Sequence, residues 1–262
     1  MSYKTTNNYI CCSFNRGEEY IFEGKNIPVE FYYSETKDII NLYSDLIKYF
    51  NESDRIKADK FHFEEERNTW LLCHTLLRMV ISAKLNIDHS EIVITRDRNN
   101  KPWLQGNQLY FNISHTRESF AFAISDQLPV GVDIEKVDRE IDFRSIIKTF
   151  FSSGEIKSIL EDPGKSRDRF FLLWTRKEAL LKALGIGIVD KLKEVEVYRD
   201  INFLNQASFN NIIDSSLFCD HYIYSEKIHN NYLSIALPSK SKIEFHMIDI
   251  PIIKTLIENF ES

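Results

Sequence analysis

Apolar positions along this chain recur at two periods, and the switches between them outline its elements. Residues 1–33 are turn-rich at first, then carry short apolar pieces at 20–22 and 29–32 that read as strands. Ile39, Leu42, Tyr43, Leu46, Ile47 and Phe50 fall on one helical face, so a helix is expected over 39–50. Ser53 opens a second helical region to Phe61. The longest helical pattern, 64–84, carries Trp70, Leu71, Cys73, Leu76, Leu77, Val80 and Ile81, with Glu64, Glu65 and Glu66 at its positive end and Asn86 as a stop. His74 and Arg78 on it read as structural, Arg78 as half of an internal ion pair. Strands are then expected at 92–95, 109–113, 120–124 and 130–135, the polar turn 96–100 separating the first two. Helical spacing returns over 141–151. Ser152 and Glu155 form a capping box for the next helix, and Pro163-Gly164 precedes a helix over 166–184 that Ser166 or Asp168 caps and Gly185 closes. Strand-like pieces follow at 195–198, 218–224, 232–237 and 243–248, with Asn230-Asn231 as a turn, and a last helix follows Pro251.

Length and composition narrow the classes. A chain of 262 residues forms one large domain or two small ones with a proper core. The net charge of −6 and pI near 5.7 argue against general nucleic-acid binding, which needs a basic footprint, but leave room for a small polyanion in a local basic pocket. Cys11, Cys12, Cys73 and Cys219 include no Cys-x-x-Cys pair, and the adjacent two are poor partners for each other, so a reduced, cytoplasmic setting is expected. No targeting segment and no membrane-spanning run is read. His221, His229 and His246 are scattered without ligand spacing.

Two stretches carry candidate chemistry. In the strand at 130–135, Asp133 and Glu135 are two apart and project to one side, while Val132 and Ile134 pack the other way. On the helix at 166–184, Thr175, Glu178 and Lys182 lie at i, i+3 and i+7, one polar stripe beside the apolar residues Phe170, Leu173, Trp174, Leu180, Leu181 and Leu184. Three carboxylates, at 133, 135 and 178, suit a hard divalent ion such as Mg²⁺, which prefers oxygen ligands and is completed by substrate phosphates. Each stretch taken alone is ordinary, a solvated strand face or an i,i+4 helix pair. Lys177 lies amid the apolar stripe and needs a partner, expected here to brace the acidic site.

The two stretches together resemble the 4′-phosphopantetheinyl transferases, in which a Gly-x-Asp strand precedes a Trp-x-x-Lys-Glu-(Ala/Ser)-x-x-Lys helix. Here these are Gly131-Val132-Asp133 and Trp174 to Lys182. The resemblance extends upstream through Asn100-Lys101-Pro102 and Phe111-Asn112-Ile113-Ser114-His115, is specific over about residues 53–190, and points by length to the larger, two-lobed (surfactin-synthetase-activating) branch. It implies an α+β fold of two pseudo-symmetric lobes, each a small sheet packed on helices. Residues 1–126 then form the lobe that contacts the coenzyme A nucleotide, 127–262 the lobe with the acids and catalytic helix, and the active site lies in the cleft between them. The implied reaction is Mg²⁺-dependent transfer of the phosphopantetheine arm of coenzyme A to a serine of an acyl or peptidyl carrier protein, releasing adenosine 3′,5′-bisphosphate. Asp133, Glu135 and Glu178 become the magnesium ligands. Glu178, or a water held by the ion, takes the serine proton, and Lys182 stabilises the departing phosphate. Lys57 and Lys60 fall near the family's 3′-phosphate contacts, although Asp54 stands where some members carry another cation. Lys101 lies near phosphate, and Ser114 and His115 grip the nucleotide end. A monomer is implied. Two rival readings use the same residues: a Mg²⁺-dependent phosphoester hydrolase, and a non-catalytic coenzyme A-binding protein.

Overall fold

The computed structural model describes residues 7–13, 28–106, 109–138, 140–186, 192–199, 201–204 and 221–261, with 7–13, 201–204 and 259–261 as backbone only. In chain order the elements are β1 (Asn7–Ser13), β2 (Val29–Glu35), α1 (Thr36–Ile39), α2 (Tyr43–Leu46), α3 (Glu52–Ala58), α4 (Glu64–Leu85), β3 (Ile94–Arg96) and β4 (Pro102–Leu104). Then come β5 (Tyr110–His115), β6 (Ser119–Ser125), β7 (Gly131–Lys136), α5 (Phe143–Phe150), α6 (Ser153–Leu160) and α7 (Ser166–Leu184). The chain continues through β8 (Ile201–Leu204), β9 (His221–Ile228), β10 (Asn231–Leu237), β11 (Ile243–Met247) and α8 (Ile250–Glu261). No helix among the described residues is long and apolar enough to cross a membrane.

The expected α+β class holds. One sheet runs β11-β2-β6-β5, another β7-β10-β9-β1-β8, and β3 pairs with β4 alone. The chain exchanges its ends between the two larger sheets. β1 lies parallel to β9 among the late strands, and β11 lies parallel to β2 among the early ones. Strand alternation then builds three cores. β6 sends Phe120, Phe122 and Ile124 toward Leu72, Leu76 and Leu77 of α4, with Ile253 of α8 in the same cluster. Its alternate residues Ala121 and Ala123 turn to the opposite side, where Phe31 and Tyr33 of β2 meet Val132 and Ile134 of β7 and Leu233 and Ile235 of β10. This second core joins the sheets face to face. The third gathers Phe143, Ile147, Phe151 and Ile159 around Phe170, Leu173, Leu180 and Leu184 of α7.

β7 therefore buries Val132 and Ile134 between the sheets and turns Gly131, Asp133 and Glu135 toward α7. A Cβ at Gly131 would stand 2.0 Å from the carbonyl oxygen of Ala179 and 2.2 Å from the amide nitrogen of Ala183. Only a hydrogen there, facing two alanines one helical turn apart, lets the helix lie on the strand.

A buried ion pair fixes the same helix from its other side. Lys177 and Glu155 meet at 2.8 Å with both side chains fully buried. The Lys177 ammonium also donates to the Leu192 carbonyl at 2.9 Å and to that of Val195, while the Glu155 carboxylate accepts from the Val197 amide at 3.0 Å. Glu155 also completes the expected capping box with Ser152. The partner expected for Lys177 is thus real, but it braces α7 against α6 and the 192–197 segment instead of touching the acids. These side-chain bonds hold 195–197 outside any sheet, where a strand was expected.

Other departures are local. The apolar run over 39–50 breaks into α1, α2 and two 3₁₀ turns rather than one helix. Asn51, not Ser53, caps α3, its carboxamide accepting from the Ser53 amide. Neither Ser166 nor Asp168 caps α7: the Ser166 hydroxyl donates to the Asp162 carbonyl, and Asp168 pairs with Lys227. The expected stops hold, Asn86 and Gly185 both taking the left-handed conformation at φ 53° and 69°. The pieces expected at 20–22 and 218–220 lie outside the described residues.

Gly131→Ala is expected to destabilise the protein by about 3 kcal/mol or more, because the added methyl meets helix backbone that has no rotamer to change. Urea denaturation followed by circular dichroism measures this, and a loss below about 1 kcal/mol contradicts the packing described.

Candidate active site

The packing of α7 on β7 brings the two chemical stretches together. The Lys182 ammonium donates to Asp133 Oδ1 at 2.7 Å and to the Ser114 hydroxyl oxygen at 3.0 Å. The Ser114 hydroxyl in turn donates to Asp133 Oδ1 at 2.9 Å. One strand of each larger sheet and one helix thus meet at a single carboxylate oxygen. Asp133 Oδ2 and Glu178 Oε1 are buried without any hydrogen-bond partner.

Electrostatics mark these acids as under strain. Burial, then the neighbouring Asp133 charge, pushes the Glu135 carboxyl up to about 8, although the Trp174 indole donates to it. Burial and Asp133 likewise raise Glu178 to about 7. Asp133 is itself raised by burial, against the pull of Lys182 and Ser114. Two unsatisfied buried carboxylate oxygens are costly acceptors that a cation would satisfy. In donor chemistry these carboxylates suit a divalent ion. Among the described residues no group of three such side chains is placed to hold a metal ion, and the Lys182 ammonium occupies Asp133 Oδ1.

A cleft of about 460 Å³ opens beside this node. Of the predicted site residues, Lys101, Ser114, His115, Glu178 and Lys182 line it. His115 sits edge-on to Trp70 with ring centroids 5.3 Å apart, and burial lowers its pKa, which keeps the ring neutral near pH 7. The Lys101 ammonium donates to the Ala183 carbonyl at 3.1 Å, in the last turn of α7, where carbonyls lack helical partners. Burial lowers this lysine to about 8. The Asn99 carboxamide donates to the Gly185 carbonyl at 2.6 Å, so the β3–β4 turn caps α7.

Lys57 and Lys60 do not join the residues lining this cleft. Lys57 lies 3.9 Å from Asp54, its side chain 42% exposed, and Lys60 is exposed. Asp54, beside Lys57, is buried and bound to Arg78 Nε at 3.0 Å. That is the internal pair expected of Arg78, so the acid belongs to the α3–α4 junction.

Sequence reasoning missed Trp70, Arg96 and Asn112, which also line the cleft. Trp70 passed as one more apolar position of α4. Arg96 was one charge in a polar turn. Asn112 had a usable signal, a polar residue between apolar neighbours in a buried strand.

The result is an α+β protein in which Glu178 and the cations Lys101, Arg96 and Lys182 line one cleft, with Asp133 bound to Lys182 beside it. Two family models cover most of that architecture: the 4′-phosphopantetheinyl transferase superfamily matches residues 129–233, and the N-terminal part of a 4′-phosphopantetheinyl transferase matches 39–127. The chain belongs to the 4′-phosphopantetheinyl transferase superfamily. It is 29% identical to the 4′-phosphopantetheinyl transferase HetI of Nostoc sp. over 158 residues, 58% of this chain and 66% of that one. It is 33% identical to Sfp of Bacillus subtilis over 144 residues, 54% of this chain and 63% of that one. To gsp of Aneurinibacillus migulanus it is 37% identical over 119 residues, 45% and 48% of the two chains. The aligned region thus spans between about half and two thirds of those relatives' lengths.

The raised carboxyls give a pH dependence. The unfolded chain releases these protons near 4.5, whereas the metal-free folded chain holds them to about 7 and 8. Their contribution is therefore fully present below about 4.5 and is lost as pH rises through 8. Melting temperature in excess chelator should fall between about pH 5 and pH 8, and Glu135→Gln should flatten that slope. A variant whose slope equals that of the wild type contradicts the assignment.

Proposed function

We propose that the protein transfers the 4′-phosphopantetheine arm of coenzyme A to a serine hydroxyl of an acyl or peptidyl carrier protein. The observation that carries this reading is the single carboxylate oxygen of Asp133 gripped by Lys182 and Ser114, with unsatisfied carboxylate oxygens of Asp133 and Glu178 beside it. Family membership and the names of the relatives support it. Asp133, Glu135 and Glu178 would hold Mg²⁺. Bound there, the ion supplies neutralising charge to the pyrophosphate of coenzyme A.

The chain's own residues do the rest. Glu178, or a water held beside it, accepts the proton of the attacking serine, a weak nucleophile until that proton leaves. The serine oxygen bonds to the phosphorus that bears pantetheine as the bond from that phosphorus to the bridging oxygen breaks. Adenosine 3′,5′-bisphosphate departs with the bridging oxygen and its electron pair. Lys182, the cation nearest the acids, stabilises that leaving charge. Lys101, Arg96 and His115 line the cleft where the nucleotide phosphates would be held, and positioning supplies much of the rate.

Incubation with coenzyme A, Mg²⁺ and several apo-carriers, followed by intact mass, tests the reading. One carrier should gain a single phosphopantetheine arm. Release of adenosine 3′,5′-bisphosphate without any mass gain would indicate a hydrolase, and ligand-induced stabilisation alone a binding protein. Glu178→Gln should lower turnover by about 10²-fold or more with the fold intact. Lys182→Ala should lose about 10²-fold in kcat while coenzyme A still binds. Near-normal turnover in either variant removes that residue from its role.

A further inference from the structure

The two larger sheets meet edge to edge as well as face to face. β5 ends one sheet and β7 ends the other, and neither forms a backbone ladder with the strand it faces. Such edges leave amide and carbonyl groups without partners, which is costly where water is excluded. Here side chains close the gap. Asn112 Oδ1 accepts from the Val132 amide at 2.9 Å, and Ser114 reaches Asp133 Oδ1 at 2.9 Å. Asn112 and Ser114 are two apart on β5, so both project from the same side, onto consecutive residues of β7.

On the transferase reading above, we infer that Asn112 is a positioning residue for the reaction. Its carboxamide supplies the acceptor that an adjacent strand would supply, at the amide immediately before Asp133. The bond fixes the height of β7 against β5, and with it the distance at which Ser114 and Lys182 hold the Asp133 carboxylate. Asn112 is 3% exposed and sits in a strand otherwise flanked by Phe111 and Ile113, a place that packing alone would fill with an apolar side chain. It also lines the cleft, so its loss is felt at the site. Gly131 sets how close β7 lies to α7, and Asn112 sets how β7 registers against β5. The two constraints come from different neighbours of β7, and Asp133 lies next to both.

Three variants separate this from a merely structural role. Asn112→Ala and Asn112→Leu remove the acceptor, whereas Asn112→Asp keeps an oxygen at the same reach. Kinetics of carrier modification should show kcat lower by about tenfold or more in the first two with KM for coenzyme A within about threefold, and most of kcat recovered in Asn112→Asp. Amide hydrogen exchange at Val132, read by NMR on the full chain, should accelerate by about tenfold or more in Asn112→Ala and stay near wild type in Asn112→Asp. This second readout stands without turnover, so an inactive wild type would defeat the transferase reading and leave the Asn112–Val132 bond testable. Unchanged kcat in both truncations, a loss confined to KM, or unchanged Val132 exchange overturns the inference. If neither truncation folds, Asn112→Asp decides: kcat lower by about tenfold or more, or accelerated Val132 exchange, overturns it, and values near wild type sustain it.

Discussion

A hydrogen at Gly131 is the constraint on which the rest of the site depends. It lets the backbone of α7 at Ala179 and Ala183 lie directly against the backbone of β7. From that contact the spacing of the sequence does the assembly. Two residues further along the strand comes Asp133, and three residues beyond Ala179 on the helix comes Lys182, and the two meet at 2.7 Å. Glu178 precedes Ala179 and so stands at the edge of the same contact. A bulkier residue at any of these positions would lift the helix and part the charges.

That closeness brings like charges together, and Lys182 offsets part of the repulsion while other elements hold the helix in place. Lys182 neutralises Asp133 from the helix, and Ser114 adds a hydrogen bond from the opposite sheet. Lys101 and Asn99 cap the end of α7 from the β3–β4 turn. On the far side, the fully buried Lys177–Glu155 pair ties α7 to α6 and the 192–197 segment. Buried pairs of this kind add little net stability over apolar residues, but removing one partner is severe, so they fix geometry more than they strengthen the fold. α7 is thereby held by β7, by the β3–β4 turn and by α6 with the 192–197 segment, and Glu178 and Lys182 line the cleft.

Much of this was legible because it depends on short spacing. The i, i+2 alternation in β7 and the i, i+3, i+7 stripe of α7 placed the acids and Lys182 on the faces where they are found, and Asn86, Gly185 and the Ser152–Glu155 box marked helix ends by local chemistry. What failed depends on contacts distant in sequence. Nothing near Lys177 names Glu155, and nothing in β1 or β11 says that each joins the other half's sheet. Lys57 and Lys60 lie beside the buried Asp54–Arg78 pair and are not among the residues lining the cleft. Ser114 was read for a ligand, whereas in the protein alone it bridges the two sheets through Asp133.

On the proposed reading, β7 and α7 converge so that Asp133, Glu135 and Glu178 would hold one divalent ion beside a bound pyrophosphate. Anomalous scattering from crystals grown with Mn²⁺ and coenzyme A tests it directly. A single manganese peak within coordination distance of those three carboxylates and of the pyrophosphate oxygens is the predicted result. A peak on other residues, or coenzyme A bound in the cleft with no ion at these acids, would contradict it.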